Sequence, residues 1–296
     1  MHGTDSTPTY SRPLGLLHNR RVREEIASLD PQADCQRIVH LLACYEFPFD
    51  TTRSLEIALF HTYGSASVAG LLDRTGQFQR HGQKRYDDTN VLIALFMEAG
   101  WEGGEGAAAL TRMNSIHARF RIPNDDYLFV LWTFIDFPIR WMDEFGWRAF
   151  TPHEQQAWFH YWVGVGRRMG LSDIPATREA FDTFVEAYEQ REMVPNEASA
   201  RVARATVAVM EGWLPRPLRP LVQPVATCLV RPRLCVAAGF AEPPGWLRAS
   251  LRGALKLRAG VKRFVSVERY PALLAHKYLR SYPQGRPEIG RIGPGS

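Results

Sequence analysis

Apolar residues recur at three- and four-residue spacing through most of this 296-residue chain, and helix start and stop signals fall between the runs. No segment shows the alternating pattern and tight turn of a hairpin. The clearest start is Thr151-Pro152-His153-Glu154, with a Thr cap, Pro in the first helical position and Glu two residues further on. A helix from that point ends in Arg167 and Arg168 and stops at Gly170. The same reasoning places helices over 34–46, 53–74 (stopped by Gly76), 84–99, 105–119, 177–192, 197–212, 246–258 and 262–280. Asn124 reads as the cap of a strongly aromatic helix reaching Pro138 or Phe145, with Asp125 and Asp126 in its first turn. About ten helices without strands predict an all-α fold, a bundle or globin-like stack that places ligands between helices.

The domain reading is a single helical unit over 31–282, with its core near 50–190 and short Pro-interrupted helices over 213–282. An N-terminal extension covers 1–30, and the Gly- and Pro-rich stretch 283–296 reads as a disordered tail. Hydrophobic residues make up 45% of the chain and charged residues 23%, an ordinary globular balance. The longest apolar runs, Val91–Met97 and Tyr127–Phe137, fall short of the roughly 20 residues a membrane-spanning helix needs. Cys35, Cys44, Cys228 and Cys235 have neither zinc nor redox spacing and read as reduced thiols. With no apolar leader at the N-terminus, they predict a cytoplasmic protein. The net charge of +5 is concentrated in residues 212–296. That basic third permits peripheral contact with an anionic membrane surface; no nucleic-acid motif accompanies it, so no nucleic acid is expected.

Few segments carry chemistry. Arg85 and Thr89 lie one turn apart on a helix face that continues through Leu92, Ile93 and Phe96. A guanidinium drawn into an interior needs an anionic partner, either a carboxylate such as Asp87 or Asp88 or the carboxylate of a bound cofactor. His117, in NSIHARF, is an ordinary half-buried histidine or a metal ligand. His153-Glu154 lacks the second histidine of a zinc HExxH motif, and Gly164-Val165-Gly166 has the wrong spacing for a dinucleotide loop.

Taken in order, RYDDT at 85–89, NSIHARF, IPNDDYLFVLWTFIDFPIRW and FGWRAFTPHEQQAWFHYWVGVGRRMGL resemble the MpaB and latex-clearing-protein oxygenases, most of all their fungal MpaB-like branch. The resemblance spans about residues 50–190. It implies a globin-like helical core and a non-covalent haem b. His117 matches the axial histidine of that family, and Arg85 and Thr89 match residues beside its haem. The implied reaction is dioxygen-dependent cleavage of a carbon–carbon double bond in an isoprenoid or other hydrophobic small molecule. Side chains of the Tyr127–Phe137 helix are expected to position the alkene. The chain departs from the rubber oxygenases at Asp88, where they carry Lys, and has no counterpart of their distal Glu. It reads Leu131-Trp132-Thr133 where many bacterial relatives carry a second His. A non-catalytic carrier of an isoprenoid or lipid is the alternative class, and a peroxidase-like haem enzyme a third.

Overall fold

The computed structural model describes residue 10 and residues 18–266 and 268–294. The rest of the N-terminal stretch, where no leader is expected, and the last two residues of the tail lie outside them. Thirteen α-helices follow one another, with no β-strand among the described residues: α1 Arg20–Ser28, α2 Cys35–Leu41, α3 Pro48–Thr62, α4 Ala66–Thr75, α5 Gln77–Ala99, α6 Gly104–His117, α7 Asn124–Phe145, α8 Pro152–Arg168, α9 Arg178–Glu192, α10 Glu197–Glu211, α11 Val222–Leu229, α12 Pro232–Ala238 and α13 Gly245–Phe264. The expected all-α class is what forms. The four cysteines are free and buried.

Local chemistry sets the helix ends. Thr151 accepts from the Glu154 amide while the Glu154 carboxylate accepts from the Thr151 amide, completing the capping box. The side chains of Ser65, Thr177 and Asn196 cap α4, α9 and α10 by accepting from the Val68, Ala180 and Ser199 amides. The aromatic α7 passes through Pro138, whose ring removes the hydrogen bond that Phe134 O would accept. The indole of Trp158 on α8 donates to that carbonyl at 2.9 Å instead, so a buried orphan is satisfied across the helix interface.

α7 packs along α3, α5 along α6, α2 on α8, and α10 across α4 and α5. One large cluster of buried side chains fills the centre, and a second, smaller one lies between α5, α6 and the C-terminal segment. Gly164, read above outside any dinucleotide loop, is a packing glycine: a Cβ there would sit 2.7 Å from the Trp101 ring.

The structure corrects the expected layout in several places. The helix expected over 53–74 is two, broken at Tyr63-Gly64-Ser65, where a Cβ on Gly64 would lie 2.1 Å from Met193 Cε. Asn124 does not cap α7; its side chain bridges to Ser172, and Pro123 precedes the helix. A single helix spans 245–264, and the helix expected over 262–280 does not form beyond its first turn, because the chain turns extended at Val265. The expected tail is ordered over 283–294. Ile292 is fully buried in the second cluster, Arg112 donates to its carbonyl at 2.7 Å, and the Gly293 amide donates to Asp88.

Candidate functional site

The central feature is a cavity of about 620 Å³ between α3, α5, α10 and α11, within the size range of small-molecule sites. Helix α5 supplies its longest wall. Phe78, Gly82, Arg85, Thr89, Ile93 and Met97 recur at three- and four-residue steps and all line it. Of the face expected to continue below Arg85, Ile93 is on the cavity; Leu92 packs in the second cluster and Phe96 in the main core. From α7 only Trp141 reaches the lining. The Tyr127–Phe137 side chains, expected to position a substrate, do not line this cavity; α7 packs against α3 and α8.

Arg85 and Thr89 come together as the sequence predicts. The guanidinium donates to Thr89 Oγ1, and Thr89 in turn donates to the Arg85 carbonyl at 2.9 Å. The Arg85 guanidinium also lies 5.8 Å from the centre of the Phe78 ring. The carboxylates next in sequence are occupied elsewhere. Asp87 accepts from Gln83 at 3.2 Å and from the Ser281 amide at 2.8 Å. Asp88 accepts from Lys84 at 2.8 Å, from the Gly293 amide at 3.0 Å and from Tyr282. Among the described residues no carboxylate pairs with Arg85. A cation held at a cavity wall by a neutral hydroxyl leaves that wall electropositive.

His117 is the last residue of α6. It does not line the cavity, but it stands within electrostatic reach of Arg85. Burial, reinforced by the Arg85 charge, lowers its pKa to about 4 and keeps the imidazole neutral. Its ring meets Tyr127 edge-on at 5.7 Å, and its buried Nδ1 has no hydrogen-bond partner among the described residues. A neutral imidazole with a bare ring nitrogen is the form that ligates a metal. No three His, Cys, Asp or Glu side chains converge among the described residues to hold a bare ion. A haem iron needs only one or two protein ligands, since the porphyrin supplies the others. The residues present therefore fit a haem better than a free metal ion: one available imidazole, one uncompensated guanidinium and a large apolar cavity beside it.

Sequence reasoning missed a second polar group on the cavity wall. Arg53 donates to Glu56 at 2.8 Å, and Tyr86 donates to the same carboxylate. Burial raises the Glu56 carboxyl above its usual range against the pull of Arg53. Glu98 and Lys277 also line the cavity; burial raises the acid and lowers the amine. Tyr86 sits inside the RYDDT motif but shows no periodic signal of its own. Lys277 comes from a distant, irregular segment that no local pattern could connect to α5.

Residues 58–262 match the family described as ER-bound oxygenase mpaB/B'/Rubber oxygenase, catalytic domain. The chain is 30% identical over 261 residues to the ER-bound oxygenase mpaB' of Penicillium brevicompactum, covering 82% of this chain and 61% of that protein. It is 28% identical over 238 residues to the ER-bound oxygenase mpaB of Penicillium roqueforti, covering 74% of this chain and 80% of that protein. The chain thus spans less than two thirds of the length of the mpaB' relative. The match runs through α5 and α6 and so includes Arg85, Thr89 and His117. The chain belongs to the mpaB and rubber oxygenase catalytic-domain family.

Proposed function

We propose that this protein is a haem-b-dependent oxygenase that cleaves a carbon–carbon double bond of an isoprenoid or other unsaturated hydrophobic substrate, using dioxygen. The observation that carries the reading is the pairing of His117, neutral and with an unpartnered ring nitrogen, with Arg85, a cation lacking a carboxylate. His117 would hold the iron, and Arg85 would offset the charge of a propionate. Thr89 fixes the guanidinium and presents its hydroxyl at the wall. When bound, haem supplies the redox chemistry of dioxygen. The cavity excludes water from the alkene and aligns it along α5. The group formed by Arg53, Glu56 and Tyr86 would receive a polar end of the substrate, so an amphipathic alkene suits the site better than a pure hydrocarbon. The relatives are named as ER-bound oxygenases, and we place the work of this chain at a membrane surface as well. Among the described residues no helix is long and apolar enough to cross a membrane.

The decisive measurement is the absorption spectrum of the purified, haem-reconstituted protein. We expect a Soret band that His117→Ala abolishes while the far-ultraviolet circular dichroism stays helical. A wild-type protein that takes up haem without a Soret shift, or takes up none, overturns the proposal. One observation favours a second reading, a hydrophobic-ligand carrier: His117 does not line the cavity. Oxygen uptake with a prenylated aromatic alkene separates the two, since a carrier consumes none.

A further inference from the structure

Helix α13 presents an apolar stripe to the outside. In an ordinary surface helix the apolar stripe faces the core and the charges face water. Here Trp246, Leu257, Val261 and Phe264 are 70%, 70%, 58% and 74% exposed. They share one face at helical spacing, and the positions between them on that face are Ser250, Gly253, Ala254 and Gly260, so no charge interrupts it. The inward face carries charges beside Leu255 and Ala259. Arg258 donates to the fully buried Asp50 at 2.8 Å, and Lys262 lies 3.7 Å from Asp50 and 2.7 Å from Glu268. These buried ion pairs fix the orientation of the helix, so the outward apolar stripe is held there rather than free to roll inward.

The flank of the stripe is basic. Lys256 and Arg263 lie beside it and form no ion pair with a carboxylate among the described residues, and residues 245–264 contain no Asp or Glu. The cavity mouth repeats the pattern. Leu214, Leu218 and Leu221 line the cavity and are also exposed, the last two on a 3-10 turn, Arg216–Leu221, that carries Arg216 and Arg219. That turn runs directly into α11, which forms cavity wall and packs against α13.

We infer that the outer face of α13 is an anionic-lipid docking surface and that the leucine-lined cavity mouth, one helix away, takes substrate up from the bilayer. A charge-free apolar stripe with a Trp near one end and cations alongside is the pattern of a helix lying in the membrane interface. A second copy of the chain is a poorer occupant, because a two-fold contact across this stripe sets Lys256 and Arg263 against their own counterparts. The inference rests on the membrane reading above and names the face responsible. It does not depend on haem.

The test is co-sedimentation of the full chain with phosphatidylcholine vesicles, with and without about a third phosphatidylserine. Wild type should pellet with the anionic vesicles and release as salt rises. Leu257→Asp/Phe264→Asp and Lys256→Glu/Arg263→Glu should each weaken partitioning at least about tenfold. All four side chains are exposed, so both variants should keep the wild-type melting curve and the wild-type haem spectrum. If wild type stays in the supernatant with both vesicle types, membrane docking itself is overturned. If wild type pellets and both variants pellet equally well, membrane association stands and α13 is the wrong face. A dimer in light scattering that only the Asp variant disperses, with no vesicle binding, assigns the stripe to self-association and overturns the inference too.

Discussion

Arg85 acquires its meaning from what its neighbours do. In sequence, Asp87 and Asp88 are its obvious partners, yet on the helix they point away: one meets the Ser281 amide, the other meets Lys84, Tyr282 and the Gly293 amide. The sequence could therefore name the cation and leave its partner open, because the competitors for Asp88 lie about 200 residues away. A charge-assisted bond to a propionate contributes about 1.5–3 kcal/mol, so Arg85→Met should lower haem affinity roughly 10- to 100-fold. Titration of the apoprotein with haem measures it, and an unchanged affinity removes Arg85 from the site. Histidines give a second prediction at this scale. Burial, with Arg37 nearby, lowers the pKa of His40 to about 4, as burial and Arg85 do for His117. Below about pH 6.5 the unfolded chain takes up protons that these folded rings refuse. Each depressed histidine therefore subtracts stability as pH falls from about 6.5 to 4, by about 1.4 kcal/mol per pH unit. Urea unfolding of haem-free protein near pH 7 and pH 5 reads the slope. His40→Gln should flatten it by one histidine's share, and an equal slope in the variant refutes the assignment.

At the scale of elements, α5 and α6 are the two supports of the site, and the junction between them is tight. Gly106 opens α6 against the end of α5, where a Cβ would sit 1.7 Å from the Gly100 carbonyl oxygen. Backbone cannot rotate aside as a side chain can, so Gly106→Ala must tilt α6 and carry His117, at its other end, away from Arg85. Overpacking of this kind costs about 1–3 kcal/mol, and haem retention should fall with stability. Gly103, three residues earlier, has nothing within 4 Å of its Cβ position, and Gly103→Ala should stay within about 0.5 kcal/mol of wild type. Equal melting temperatures for the two variants would show that the junction yields. Sequence alone cannot grade these glycines, since their difference lies in what approaches them. The same limit explains the rest. Helix existence and caps are local properties, and Thr151–Glu154 was legible to the residue. Packing faces are not local. The period over 53–74 ran on across the Gly64 break, and the orphan carbonyl under Pro138 needed Trp158 from another helix.

Across the whole molecule, the segment that composition marks as a disordered tail holds α5 and α6 together. Its prolines and glycines leave it only one 3-10 turn, Ile289–Arg291, but Ile289 and Ile292 still have apolar surface to bury. They find it in the cluster of Val91, Leu95 and Ala109, between α5 and α6. The polar contacts are equally placed: Lys84 on α5 donates to the Gly293 carbonyl at 3.1 Å, Arg112 on α6 donates to the Ile292 carbonyl, and Arg286 pairs with Glu105 at the start of α6. One short segment thus ties both helices along their length, on the side away from the cavity. Ending the chain after Tyr282 removes Ile292 and strips Asp88 of its amide donor. Losing one fully buried isoleucine costs about 2–5 kcal/mol, and an under-satisfied buried carboxylate adds to that. The truncated protein should melt several degrees lower. Because α5 carries Arg85 and α6 carries His117, it should also release haem faster to an apomyoglobin acceptor. A truncated chain that melts lower but keeps its haem as firmly would separate fold from site, and would show that the spacing of the two helices is set by their own packing rather than by the strap. If both readouts move together, the C-terminal segment belongs to the architecture of the site, although no residue of it beyond Lys277 lines the cavity.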